Sequence, residues 1–223
     1  MPLETRLFII AALVLLVIGA GFFWRITTGR ARRVSEGTQI DLARLGATKN
    51  GKPVMIGFNR RFDPNFAGLK AALDAGEIGK AELLSITSFD PAPPPVAYIK
   101  VSGGIFRDMM IHDFDMANFL MGASPVAVSA TGSSIVDPAI GAAGDVDTAV
   151  VTLTYADGRI AVIKNSRRAV YGYDQRVELL GSEGLLQAGN MLESTIVKST
   201  TGGVTSAKPT YFFLERYMPA YRA

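Results

Sequence analysis

The 223-residue sequence contains no cysteine and only one histidine. The lack of cysteine excludes disulfide scaffolds, thiolate-bound metal sites and cysteine nucleophiles. Because His112 is the only imidazole, histidine-rich metal sites are excluded too, and any proton transfer by histidine must use this residue. Charged residues make up 19% of the chain and hydrophobic residues 48%, a balance that excludes a largely disordered protein.

Outside its first 33 residues the chain also lacks an excess of basic residues. The net charge is +3, from 23 Lys and Arg against 20 Asp and Glu. Residues 1–33 hold five arginines and one glutamate, so the remainder is slightly acidic. A nucleic-acid-binding protein is expected to gather basic side chains on one face. We therefore expect no nucleic-acid partner.

An uninterrupted apolar run covers residues 7–24, LFIIAALVLLVIGAGFFW. As a helix it would be about 27 Å long, close to the hydrocarbon thickness of a bilayer. Four arginines follow the run and one precedes it, which predicts a cytoplasmic location for the long remainder. We predict a single transmembrane helix in the inner or plasma membrane. A cleaved signal peptide, and a spurious start before a cytoplasmic fragment, are the alternatives.

Composition divides the chain into a leader with a basic flank over 1–33, a polar linker over 34–50 and a globular domain over 51–223. Helical spacing covers 65–75, and a helix start covers 212–223. Strand patterns recur over 82–89, 126–130, 148–155, 159–165, 176–180, 185–188 and 195–199. Repeated hairpins predict the α+β class, with an open, mostly antiparallel sheet and helices on one face.

A double glycine, Gly103-Gly104, opens a predicted helix that runs to Met121. Asp108 and His112 are four residues apart, so the helix would bring their side chains together. A carboxylate beside an imidazole fixes its tautomer and raises its basicity, as a proton-transferring histidine requires. Spacing alone also fits a helix-surface contact without chemistry. The acidic residues that follow His112 are expected to face solvent or cap the helix: Asp113 and Asp115.

Several segments together resemble one enzyme family. They are GFNRRFD at 57–63, GGIFRDMMIHDFD at 103–115, YGYDQRVE at 171–178 and GSEG at 181–184. In this order they resemble the Gfo/Idh/MocA oxidoreductases of the inositol dehydrogenase type, over about residues 40–223. The resemblance implies oxidation of an inositol-like polyol to a ketone with transfer of hydride to NAD. It also implies an open sheet whose face mediates homo-oligomers.

The same resemblance assigns roles to six residues. It places Asp108 and His112 in the catalytic set, with His112 taking the proton of the substrate hydroxyl. The residues that it places in substrate binding are Arg60, Arg61, Tyr171 and Tyr173. Without the resemblance, the two arginines would be interpreted as a solvated pair and the two tyrosines as aromatics of a sheet face. No residue is assigned to a metal.

The sequence also departs from the family pattern. The Rossmann domain with its glycine fingerprint, and the catalytic lysine of a Glu-Lys-Pro motif, have no counterpart in it, so we assign no NAD-binding residue. The end of the substrate domain is also expected to be truncated. The leading hypothesis is an inositol dehydrogenase that is incomplete in this chain. A non-catalytic, membrane-tethered module for polyol binding or oligomerisation, and a non-functional gene fragment, remain as alternatives.

Overall fold

The computed structural model describes residues 57–223. A short 3-10 helix, Asn59–Phe62, comes first. The α-helices are α1 (Pro64–Asp74), α2 (Val96–Ser102), α3 (Gly104–Asp108), α4 (Ile111–Met121), α5 (Pro138–Ala142) and α6 (Phe213–Arg222). The strands are β1 (Ala81–Phe89), β2 (Ala127–Ser133), β3 (Thr148–Thr154), β4 (Ile160–Ser166), β5 (Asp174–Gly181), β6 (Gly184–Ala188), β7 (Val197–Thr200) and β8 (Gly203–Ser206).

Six strands form one open sheet in the order β2-β3-β4-β1-β5-β6. The early strand β1 lies between β4 and β5, parallel to β4 and antiparallel to β5. All other neighbours in this sheet are antiparallel, which confirms the predicted mostly antiparallel sheet. Since β1 and β4 run in the same direction, their carboxyl ends meet at one edge, where Ser88 is the cross-strand partner of Asn165.

One face of this sheet is covered by helices. Side chains alternate along a strand, and β3 accordingly buries Ala149, Val151 and Leu153. The helices α1 and α4 contribute buried side chains to the same apolar cluster. On the opposite face, apolar side chains stay exposed: Leu83, Val150, Ile160 and Leu180. The prediction of helices on one face is therefore correct.

The helix predicted to run unbroken from the double glycine to Met121 is interrupted. The helix α3 ends at Asp108 and α4 begins at Ile111. Between them, the backbone N–H groups of Met109 and Met110 both donate to the carbonyl of Ile105, at 3.1 and 2.9 Å. The regular hydrogen bonding of a continuous helix is therefore interrupted here, and its i,i+4 geometry does not hold across the turn.

Glycine is required at the start of α3. The φ angle of Gly104 is +78°, and a Cβ there would lie 2.6 Å from Oδ1 of Asp145. The Asp145 carboxylate also accepts a hydrogen bond from the backbone N–H of Ile105. The glycine therefore allows the close approach of a carboxylate that caps this short helix.

The helix α6 packs beside the 3-10 helix. Its Arg216 is buried and pairs with Asp63, with an Nε–Oδ2 distance of 3.3 Å. The Arg216 guanidinium also lies over the ring of Phe66, 4.8 Å from its centroid. Asp63 caps α1 by accepting from the backbone N–H groups of Asn65 and Phe66. These contacts hold α6 against the start of α1.

The predicted transmembrane helix requires correction. The longest helices between residues 57 and 223 have 11 residues, or about 16 Å, roughly half of what a bilayer requires. No helix in this described part is long and apolar enough to cross a membrane. The apolar run over 7–24, like the predicted leader and linker, lies outside the described residues. The transmembrane part of the predicted fold class was therefore wrong, and the single-pass location in an inner or plasma membrane is withdrawn with it.

Candidate active site

The candidate site lies where the carboxyl ends of β1 and β4 meet the first turn of α4. The fully buried carboxylate of Asp113 is at its centre. Asp113 accepts hydrogen bonds from Nη1 of Arg60, from Oγ of Ser88 at 2.6 Å and from Nδ2 of Asn165 at 2.8 Å. One carboxylate thus joins the 3-10 helix, two strands and α4.

The buried Arg60 remains charged in this environment. Burial alone would lower its pKa, but the neighbouring Tyr217 and the charge of Asp113 raise the pKa above the ordinary value for arginine. Nη1 of Arg60 also donates to Oγ of Ser88 at 3.0 Å. Arg60 therefore contributes a fixed positive charge to the site.

A second ion pair, between Arg61 and Asp115, joins the same two segments. Nε and Nη2 of Arg61 donate to the two oxygens of Asp115, at 2.8 and 2.5 Å. The prediction that Asp113 and Asp115 face solvent or cap the helix was therefore wrong, because both carboxylates are buried against the arginines of the 3-10 helix. The interpretation of Arg60 and Arg61 as a solvated pair fails for Arg60, which is buried, whereas Arg61 stays partly exposed.

His112 lies in the first turn of α4 and is half-buried. Its Nδ1 atom is buried and has no hydrogen-bond partner among the described residues, and the edge of its ring faces Phe58 with centroids 6.2 Å apart. Burial, followed by the positive charge of Arg60, lowers the pKa of His112 to about 4, although nearby carboxylates act in the opposite direction. The imidazole is therefore neutral at neutral pH.

Asp108 is not paired with His112. Its carboxylate accepts from the hydroxyl of Tyr98 at 2.6 Å and from Nη1 and Nη2 of the buried Arg167, both at 3.1 Å. The predicted contact between Asp108 and His112 was wrong, because the turn between α3 and α4 separates the two residues. Asp108 acts on His112 through its charge, which raises the pKa of the imidazole.

The two predicted tyrosines occupy different surroundings. Tyr173 is buried and packs edge-to-face on Tyr217, with centroids 6.2 Å apart, and Arg60 lies 5.9 Å from the centroid of the Tyr217 ring. Burial raises the pKa of Tyr173 well above its ordinary value. The hydroxyl of Tyr171 instead donates to Asp174 at 2.6 Å. Tyr173 is thus near Arg60, since both contact the ring of Tyr217. Tyr171 is hydrogen-bonded to Asp174 instead.

Sequence reasoning missed several residues of this site. Asp90 follows β1, and burial raises the pKa of its carboxyl to about 6 despite the opposing charges of Arg167 and Arg60. The segment 59–62, NRRF, has two arginines and the segment 112–115, HDFD, has two aspartates. This match of charges could have indicated the two ion pairs. No comparable signal marks Arg167 or Tyr217, because β4 and α6 bring them to the site from distant parts of the chain.

A neutral imidazole, a fixed guanidinium and ordered carboxylates are suited to binding hydroxyl groups and removing a proton from one of them. Within residues 57–223, no three acidic or imidazole groups come together to hold a metal ion. None of the three longest helices there, α1, α4 and α6, begins at a glycine-rich turn that follows a strand. That arrangement is the one that cradles a pyrophosphate, so the described residues do not fit the NAD phosphates.

Comparison with known proteins places this site in context. A family model described as the GFO/IDH/MocA C-terminal domain matches residues 66–187. The chain is 58% identical over 175 residues to the myo-inositol 2-dehydrogenase of Thermotoga maritima, a match that covers 78% of this chain and 52% of that protein. These findings confirm the resemblance drawn from the sequence motifs.

Solved structures agree with this result. A myo-inositol dehydrogenase from Corynebacterium glutamicum superimposes with a TM-score of 0.73 at 49% identity, over 76% of this chain and 51% of that one. A scyllo-inositol dehydrogenase from Lactobacillus casei, with bound NAD(H) and scyllo-inositol, gives a TM-score of 0.68 at 29% identity, over 80% of this chain and 54% of that one. The chain spans about half the length of the relatives that it matches.

Proposed function

Because this chain belongs to the Gfo/Idh/MocA family, we propose that it supplies the substrate-binding half of an NAD-dependent dehydrogenase that oxidises an inositol-like polyol. Two findings support the proposal. The chain is 58% identical to a myo-inositol 2-dehydrogenase, and its one histidine lies beside a buried arginine at the end of the sheet.

The chemistry that we assign to these residues is the proton half of the reaction. Oxidation of a secondary alcohol removes a hydride from the carbon and a proton from the hydroxyl. In this proposal His112 accepts that proton: the imidazole is neutral at neutral pH, and the nearby carboxylates of Asp113, Asp108 and Asp115, which raise its pKa, favour the imidazolium that forms. General base catalysis of this kind contributes about 10²–10⁴-fold to the rate. The hydride passes to NAD, for which we assign no site in residues 57–223.

Arg60 and Tyr173 bind the polyol in this proposal. The guanidinium of Arg60 offers donors to hydroxyl oxygens, and its charge favours the neutral form of His112. Asp108 keeps its charge in place through Arg167 and Tyr98, and it stabilises the imidazolium that forms after proton transfer. The substrate-binding roles of Arg61 and Tyr171 stay predictions; in the structure Arg61 donates to Asp115 and the hydroxyl of Tyr171 donates to Asp174.

The observation that carries the proposal is the neutral, half-buried imidazole beside a fixed cation, and a chimera tests it. Residues 57–223 would replace the matching half of the Thermotoga maritima enzyme, and NADH formation would be followed with myo-inositol and scyllo-inositol. We expect turnover of at least one inositol, and a kcat lowered by about 10²–10⁴-fold in His112→Ala. The matched control is Asp157→Asn, in the exposed turn between β3 and β4.

A folded chimera that binds NAD but oxidises no inositol would overturn the proposed function. Turnover that is unchanged in His112→Ala would leave the oxidoreductase assignment intact but remove the histidine from the mechanism.

The open face of the sheet favours a second function, assembly of identical subunits. Ile160 pairs in register with Leu83, which pairs with Leu180, so the three exposed side chains form one apolar row across β4, β1 and β5. Contiguous apolar surface of this kind marks interaction sites. Sedimentation velocity should detect an oligomer that Ile160→Glu dissociates. The control is Val128→Glu, at an exposed position of the edge strand β2 on the helix-covered face of the sheet. A wild-type chain that is already monomeric would contradict this function.

A further inference from the structure

Asp113 follows His112 directly, and its carboxylate has no exposure to solvent. Each of its three donors comes from a different segment: Arg60 from the 3-10 helix, Ser88 from β1 and Asn165 from β4. Ser88 and Asn165 are cross-strand neighbours. The carboxylate therefore attaches the first turn of α4, which carries His112, to the two central strands of the sheet.

Arg60 depends on this carboxylate. Within residues 57–223, the hydrogen bonds of its guanidinium go to Asp113 and Ser88, and of these two only Asp113 carries a compensating charge. An uncompensated guanidinium in a buried position is strongly unfavourable. Arg60 consequently stays buried beside His112 only while the Asp113 side chain remains there.

We propose that Asp113 is a positioning residue of this site: it holds the Arg60 guanidinium beside His112 and fixes the turn of α4 that presents the imidazole. The proposal rests on the proposed function for its catalytic meaning, because a fixed arrangement of Arg60 and His112 matters for proton transfer from a polyol. Its structural content is independent of that function, and so is its test.

Charged groups from three elements act on the imidazole. Arg60 of the 3-10 helix lowers the pKa of His112, whereas Asp113 and Asp115 of α4 and Asp108 of α3 raise it. The effect of Arg60 is larger than that of Asp113. If loss of the Asp113 charge releases Arg60, the pKa of His112 must rise. If Arg60 stayed in place, loss of the same charge would lower that pKa. The sign of the change thus separates positioning from a simple charge effect.

NMR titration of the full chain labelled with ¹³C,¹⁵N-histidine provides the measurement, because His112 gives the only imidazole signals. We expect the pKa of His112 to rise in Asp113→Asn above its wild-type value. We also expect Arg60→Met/Asp113→Asn to give the same pKa as Asp113→Asn, since Arg60 has already left the site in the single variant. A pKa that falls or stays unchanged in Asp113→Asn, or a clearly higher pKa in the double variant, would overturn the proposal.

Asp157→Asn also removes one negative charge, but in the turn at the opposite end of β4 from Asn165, and it should leave the pKa of His112 unchanged. If Asp113→Asn does not fold, Asn165→Ala replaces it, because it keeps both charges and removes one donor to Asp113. We then expect shifted and broadened imidazole signals, and signals that coincide with the wild type would overturn the proposal. Neither NAD nor polyol is used, so a chimera without turnover would refute the proposed function and leave this result standing.

Discussion

Two neighbouring ion pairs connect the same two segments, yet their surroundings differ. In the first pair the Arg60 side chain is 6% exposed and the Asp113 side chain 0%. In the second the Arg61 side chain is 39% exposed and the Asp115 side chain 8%. The first pair also receives hydrogen bonds from Ser88 of β1 and Asn165 of β4. Arg61 instead lies over the ring of Phe119. Arg61 and Asp115 share two hydrogen bonds, whereas Arg60 and Asp113 share one. We nevertheless expect the buried pair to contribute more to the free energy of unfolding.

The largest effect is expected from breaking the buried pair on one side. Asp113→Ala removes the charge that compensates Arg60 and forces the guanidinium out of its buried position, and breaking a buried pair on one side costs about 3–5 kcal/mol in comparable cases. The free energy of unfolding from urea denaturation should fall by that amount relative to wild type. A loss below about 1 kcal/mol, the range of surface pairs, would mean that Arg60 escapes to solvent at little cost.

Removing both charges should recover most of that loss. In Arg60→Met/Asp113→Leu the pair is replaced by apolar side chains, and such replacements are often neutral or stabilising. We expect the double variant to be more stable than Asp113→Ala in the same urea experiment. A double variant as unstable as the single one would indicate that the donors of Ser88 and Asn165 are the main requirement, because they too lose their acceptor.

A smaller loss of stability is expected for the partly exposed pair of Arg61 and Asp115. Arg61→Ala opens the buried Asp115 carboxylate to solvent, so water can replace the lost donors. We expect a loss of about 1 kcal/mol, at the upper end for partly exposed pairs because the contact is bidentate. A loss as large as that of Asp113→Ala would remove the distinction between the two pairs.

The smallest effect is expected for Lys70 and Asp74, an ion pair four residues apart on the surface of α1. Such a pair contributes about 0.3–0.5 kcal/mol, and salt screens it. Lys70→Ala should therefore change the midpoint of urea unfolding only slightly, and less still in 1 M salt. This variant sets the lower end of the comparison.

The fold was largely predictable because its signals are local. Alternating apolar residues over 148–154 and 160–166, with Asp157-Gly158 between them, are sufficient to predict a hairpin. The position of β1 was not predictable in the same way. Its pairing with β4 joins residues far apart in the chain, and no local pattern indicates which strand a lone strand will join.

The site was predictable only in part. The motifs around Arg60 and His112 identified the correct segments, since family resemblance is a property of sequence. The acids Asp113 and Asp115 were misjudged because helical spacing gives the face of a residue and not what packs on it. The contact of Asp108 with His112 was misjudged because two backbone N–H groups share the carbonyl of Ile105, a break that apolar spacing does not reveal.

Two titrating groups at the end of β1 and the start of α4 have a consequence for acid tolerance. The pKa of His112 is lowered to about 4, so between that pH and the ordinary value of about 6.5 folding expels a proton from the imidazole. The pKa of Asp90 is raised to about 6, so between its ordinary value of about 3.9 and that pH folding takes up a proton. From about pH 4 to pH 6 the two linkages have opposite signs: acidification disfavours the fold through His112 and favours it through Asp90. In this range the proton released at His112 and the proton taken up at Asp90 almost cancel. His112→Gln removes the release and leaves the uptake, so the free energy of unfolding of this variant should increase from pH 6 to pH 4.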